Sequence, residues 1–173
     1  MKKNDSPNLM YSIGENIVHA HYGVGEIIRI EDKELFGKTT TYYVVKTNDS
    51  TFWLPIEKAD NERTRPIVSA ETIQDQVIEV LEAGPQEMAS HYKTRRKRIE
   101  DVIINGGIVP IAELVRDLYY RKTTDSLTTI ESRSYDRLKK RLITEWAKSV
   151  GTTTRTVNTK IQKILQRHRE EMV

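Results

Sequence analysis

The sequence predicts an α+β protein, with a small SH3/Tudor-like antiparallel β-barrel at the N-terminus followed by an all-α domain of about five helices. Three observations predict it. Over 13–55, runs rich in Ile, Val, Tyr and Thr are broken by Gly23, Gly25, Gly37 and the Asn48-Asp49-Ser50 cluster, at intervals that suit short strands and tight turns. After Pro66 the apolar residues recur at helical spacing. The charge changes at the same place: 1–66 carries nine Lys/Arg against ten Asp/Glu, whereas 67–173 carries nineteen against fifteen, so the helical part is the basic one.

Segments 16–20, 25–34, 39–46 and 51–55 read as strands, with Gly37-Lys38 closing one hairpin and Asn48-Asp49-Ser50 another. Residues 1–11 read as a flexible N-terminus, 12–66 as the barrel and 67–173 as the helical domain. Ser69 is the expected N-cap of a first helix whose stripe is Ile73, Val77, Val80 and Leu81, ended by Gly84-Pro85. A second helix is expected over 87–104, with Asn105-Gly106-Gly107 supplying left-handed residues at its end. Pro110 sits near the start of a third, whose apolar face is Ile111, Leu114, Val115 and Leu118. Thr128 and Glu131 fit a capping box opening a fourth helix to about 148, and a last helix over 154–171 buries Val157, Ile161, Ile164 and Leu165.

Chemistry is sparse. Without cysteine there is no disulfide, thiol nucleophile or thiolate metal site, which suits a reducing cytosol. The opening MKKNDSPNLM has lysines but no apolar run, so it reads as neither a secretory signal nor a membrane anchor, and a cytoplasmic protein with no membrane contact is expected. His19 and His21 alternate on an expected strand, but no cysteine or nearby acid completes a metal shell. Glu100-Asp101 and Glu170-Glu171 are adjacent rather than opposed across a cleft, and Gly106-Gly107 lacks the lysine of a nucleotide loop. No catalytic residue, metal, cofactor or small-molecule substrate is therefore predicted, and function is to be sought in binding partners.

Three features offer binding chemistry. Trp53 follows Phe52 in an expected strand, so one of these aromatics must face outward and can anchor an interface. Lys93, Arg95, Arg96, Lys97 and Arg98 follow Tyr92 on the second helix, where Lys93, Arg96 and Lys97 share a face while Arg95 and Arg98 lie elsewhere. The first group suits contact with nucleic-acid phosphates, and a plain solvated face is the alternative. Ala147, Gly151, Val157 and Ile161 have the offsets of a helix-turn-helix, which would turn Thr153, Thr154, Arg155, Asn158 and Thr159 towards a groove, with Arg155 or Asn158 reading base edges. An antiparallel helix pair gives the same apolar spacing.

Several stretches in one order, G-E-N-I-V-H-A-H-Y-G-V-G-E-I from Gly14, Y-Y-V-V-K from Tyr42, Leu54-Pro55 and P-I-A-E-L-V-R-D-L-Y from Pro110, carry a resemblance over roughly 13–146. The chain resembles the CarD/CdnL family, whose N-terminal module is shared with the RNA-polymerase-interacting domain of the transcription-repair coupling factor. The resemblance implies a non-catalytic transcription regulator, nucleoid-associated through its polymerase. Its barrel would bind the β subunit of bacterial RNA polymerase, and its helical domain would contact promoter DNA at the upstream edge of the bubble. The family's polymerase contact is an exposed strand edge with its neighbours, corresponding here to Tyr42, Val44, Val45 and Lys46 with Trp53 and Pro55 on the next strand, while Lys33 matches a basic position that pairs with acidic groups on the polymerase. On the DNA side the implied residues are Met88, His91, Lys93, Arg96 and Lys97. Family members place a wedging tryptophan four residues before the tyrosine equivalent to Tyr92; here that residue is Met88, and family arginines that follow it are replaced by Ser90 and His91. Methionine can wedge between bases but lacks a ring that stacks on them.

Overall fold

The computed structural model describes residues 9–59 and 63–171, and the chain divides into two compact units, Met1–Pro66 and Ile67–Val173. In the first unit, β1 (Asn16–His19), β2 (Gly23–Leu35), β3 (Lys38–Lys46), β4 (Thr51–Pro55) and β5 (Thr64–Pro66) form one antiparallel sheet in the order β4-β3-β2-β1-β5. Its core gathers Tyr11, Ile17, Ile27, Tyr43, Val45, Phe52, Leu54 and Ala59. Of the segment expected to be flexible, 1–8 lies outside the described residues, but Tyr11 is anchored: its ring is buried and its N–H donates to Tyr43 Oη at 3.1 Å.

The β2–β3 hairpin turns on Phe36 and Gly37, not on Gly37-Lys38. Leu35 pairs with Lys38, and the two loop residues have φ of 54° and 74°, the left-handed pair that matches strand twist. A further correction concerns the histidines: β1 stops at His19, whose Nδ1 accepts the N–H groups of His21 and Tyr22, so His21 lies in a turn and the two do not alternate on a strand.

The second unit holds five helices among the described residues, counting the first as continuous. That one starts as α1 (Ala70–Thr72), passes through a π-helical stretch (Ile73–Val77) and ends as α2 (Ile78–Glu82). Ser69 caps it, its Oγ accepting Thr72 N–H at 3.1 Å. The others are α3 (Tyr92–Asn105), α4 (Ile108–Thr124), α5 (Thr129–Val150) and α6 (Thr154–Glu171). The expected apolar faces of α4 and α6 are buried, and the Thr128–Glu131 capping box opens α5.

Two helix boundaries differ from expectation. The second helix begins at Tyr92 rather than 87, because the preceding backbone is engaged elsewhere: Gln86 N–H donates to Asp117 Oδ1, and Ala89 and Ser90 carbonyls accept from Arg95 Nη1. At its end Gly106 is extended, with φ of −71°, rather than left-handed. Glycine is needed there for close approach, since a Cβ would lie 2.3 Å from the Val102 carbonyl oxygen.

Candidate protein and nucleic-acid interfaces

On β2 a bulge between Ile27 and Arg29 resets the alternation of the strand, so Arg29, Glu31 and Lys33 point to the face opposite the barrel core. Cross-strand register continues that face, with Arg29 beside Val44 beside Trp53, and Glu31 beside Tyr42 beside Pro55. Trp53 is 42 % exposed, whereas Phe52 points inward and stacks on Tyr22 with ring centroids 4.3 Å apart. The outward aromatic is thus Trp53.

Its ring is held from two sides. Lys33 Nζ lies 3.5 Å from the ring centroid, and the indole Nε1–H donates to Glu31 Oε1. Glu31 also accepts from Arg29 Nε at 2.8 Å and lies 3.5 Å from Lys33 Nζ. These partners hold its carboxyl below the usual value, the Arg29 hydrogen bond first and the Trp53 hydrogen bond second. The result is an aromatic plate covered by one cation, Lys33, and fixed through a carboxylate that Arg29 also holds.

Tyr42, Lys46 and Pro55 join Lys33 and Trp53 on this face, but Val44 and Val45 are fully buried. Val45 belongs to the core, opposite Phe52, and Val44 lies between Arg29 and Trp53 in register. Neither presents a side chain to a partner. The strand edge also moves: β3 is paired on both sides, so the exposed edge beside Trp53 is β4 itself. Sequence reasoning missed Glu31, and it missed Phe36, which stands fully exposed at the hairpin tip. Glu31 carried a sequence signal in its alternation with Arg29 and Lys33; Phe36 carried none until the turn was placed.

In the helical unit the basic run separates by function. Arg95 is buried against Glu131, with Nε donating to Oε1 at 2.6 Å. Burial pushes the Glu131 carboxyl up, but the bonds from Arg95 and Thr128 outweigh it and leave the group below its ordinary value. Arg98 Nη2 donates at 2.7 Å to Asp117, a fully buried carboxylate that also accepts from Arg116 Nε and Gln86 N–H. These arginines act as struts, Arg95 and Arg116 buried and Arg98 half-buried. Lys93, Arg96 and Lys97 remain exposed together near the start of α3, a first turn with no acid in it, with Arg96 paired to Glu100 one turn on at 2.7 Å. His91 is exposed at the N-cap position.

Met88 is not at that surface. It is 7 % exposed and packs into the helical core, so it is a core residue and offers no wedge to a base.

At the other end of the unit, Gly151 adopts φ of 67° after α5, and Thr153 caps α6 by accepting Thr156 N–H at 3.1 Å. Ala147, Val157 and Ile161 are buried as a helix-turn-helix requires. Thr154 and Arg155 are exposed, whereas Asn158 is half-buried at the margin of the packed face.

Family comparison agrees with this architecture. A sequence model described as the CarD-like/TRCF RID domain matches 11–68, and one described as the CarD C-terminal domain matches 76–162. The chain belongs to the CarD/CdnL family. It is 30 % identical over 150 residues to the Bacillus subtilis (strain 168) protein named "Putative transcription factor YdeB", covering 86 % of this chain and 97 % of that one. The CarD/CdnL chain is thus one of a family of transcription factors, its two matched domains falling on the barrel and the helical unit. Among the described residues no helix is long and apolar enough to cross a membrane, and no cluster of three or more His, Asp or Glu side chains is placed to hold a metal.

Proposed function

We propose that this protein docks on the β subunit of bacterial RNA polymerase through the outer barrel face, and that Lys93, Arg96, Lys97 and His91 rest on promoter DNA at the upstream edge of the bubble. It acts without catalysis, in the cytoplasm, on the nucleoid to which the polymerase carries it. The observation that carries the reading is the exposed Trp53 plate fixed by Lys33 and Glu31 beside the open β4 edge. Aromatic side chains that are held in place before binding lose little freedom on contact, and an adjacent strand edge supplies backbone hydrogen bonds. Lys33 and Arg29 suit an acidic patch on the partner.

The test is binding of full-length protein to the purified β lobe. Lys33→Glu and Trp53→Ala each weaken binding at least tenfold while circular dichroism stays native. Wild-type affinity in both variants would sink the reading. On the DNA side, Lys93→Ala with Lys97→Ala lowers the lifetime of the polymerase–promoter complex without altering β-lobe binding.

A further inference from the structure

The run that looks most basic in the sequence, 93–98, is largely neutralised in the fold: Arg95, Arg96 and Arg98 each face a carboxylate. The reverse holds at the C-terminus. From Trp146 to Arg169 the chain has no acidic residue, yet it carries Lys148, Arg155, Lys160, Lys163 and Arg167, all exposed. Among the described residues no carboxylate pairs with any of these five; Lys160 instead lies 5.5 Å from the Trp146 ring. Solvent-facing helices ordinarily offset cations with acids a turn away, as Arg96–Glu100 and Arg121–Asp125 do here. On α6, Lys163 instead has Lys160 three residues before it and Arg167 four after, so like charges crowd one surface. A polyanion relieves that repulsion.

The remaining residues of the stripe narrow the polyanion. Opposite the buried Val157, Ile161, Ile164 and Leu165, the centre of the α6 surface is Arg155, Thr159, Gln162, Lys163 and Gln166. Uncharged hydrogen-bonding side chains run along the middle, with Lys160 and Arg167 at one side and Lys148 at the preceding helix end. Over 155–166 this stripe is about 17 Å long at ~1.5 Å per residue, and a helix of this kind fits the major groove with its amides and Arg155 at base edges and its flanking cations at phosphates. The left-handed Gly151 turn and the Thr153 cap join α5 to α6 by a short connection. α3 and α6 both pack on α4 and α5, and α6 also packs on α2, so the two basic surfaces belong to different helices of one packed unit.

We propose that α6, with Lys148, is a second duplex-DNA-binding surface, distinct from that of α3 and independent of any polymerase contact. Its reading residues are Arg155, Gln162 and Gln166 rather than Asn158.

The test uses the full-length protein alone, with fluorescence anisotropy on a labelled duplex across a salt series. In Lys148→Ala/Lys163→Ala/Arg167→Ala the slope of log affinity against log salt becomes shallower by about two to three, at ~0.9 for each phosphate no longer neutralised, while the thermal midpoint is unchanged. Arg155→Ala/Gln162→Ala shifts the sequences recovered from a randomised duplex pool. A triple variant with wild-type slope and affinity overturns the proposal, as does an unchanged sequence selection. Equal affinity for duplex RNA of the same length also overturns it, by showing a surface for polyanions at large. Failure of β-lobe binding leaves these readouts untouched, so the two proposals fail separately.

Discussion

Lys33 Nζ sits 3.5 Å from the centroid of the Trp53 ring, and Glu31 touches both side chains. A tryptophan so placed is neither core nor loose surface. Its indole N–H is held by one half-buried carboxyl group, whose charge the neighbouring cations favour.

That contact predicts an acid transition. The folded Glu31 carboxyl titrates below its ordinary 4.5, so its contribution is fully present above pH 4.5 and is lost as pH falls through the lower folded value. The emission of Trp53, isolated by subtracting the Trp53→Phe spectrum, is therefore constant above pH 4.5 and changes below it. Glu31→Gln keeps an acceptor for the indole but loses the charge, and abolishes the transition. An identical acid transition in Glu31→Gln would count against Glu31 as the holding group.

The Arg95–Glu131 pair is expected to be costly to break from one side. Glu131→Gln leaves a buried guanidinium without its counter-charge, and denaturant titration should show a loss of about 3–5 kcal/mol. Replacing both residues with apolar ones of similar volume costs less than either single change. A loss below about 1 kcal/mol for Glu131→Gln would mean that water reaches Arg95.

Met88 gives a third expectation. Restoring the family's tryptophan by Met88→Trp overfills a packed core and destabilises the helical unit by about 1–3 kcal/mol, without strengthening DNA binding. Met88→Leu, which conserves volume, costs less than about 1.5 kcal/mol. A neutral Met88→Trp with tighter DNA binding would place this side chain at the surface.

The two glycines separate two kinds of constraint. Gly151→Ala has open space for its Cβ but a left-handed backbone, at a cost of about 1–2 kcal/mol. Gly106→Ala meets no φ penalty but drives a methyl against the Val102 carbonyl, where only backbone movement gives relief, so its melting temperature falls further. Gly151→Asn retains most of the stability, because Asn tolerates the left-handed region.

Much of the architecture was legible in the residues. Alternating Ile, Val and Tyr in 16–55 and the apolar spacing on α4 and α6 respond to local geometry, and the Thr128–Glu131 box is closed by neighbours in sequence. Some misses were local, such as the turn at Phe36-Gly37, but those in the helical unit are mostly set by distant partners. The start of α3 at Tyr92 depends on Asp117 and Arg95 taking up the backbone of 86–90, and nothing in the local sequence reports that. The division of 93–98 into struts and exposed cations likewise needs Glu131 and Asp117 across the fold. Helical spacing still separated Arg95 and Arg98 from Lys93, Arg96 and Lys97. Met88 was placed by its distance from Tyr92, whereas the core it enters is built by other helices.

Asp117 accepts at once from Gln86, Arg98 and Arg116, and Arg116 reaches on to the Val80 carbonyl. One carboxylate is therefore a keystone that gathers 86, 98 and 116, and through Arg116 it also secures the end of the first helix. Only Arg98, Arg116 and Asp117 give side chains to this junction, whereas 80 and 86 give main-chain groups that almost any residue supplies. Homologous chains should therefore exchange those three positions as a set, and recombination within 98–117 is expected to yield chimeras that assemble poorly.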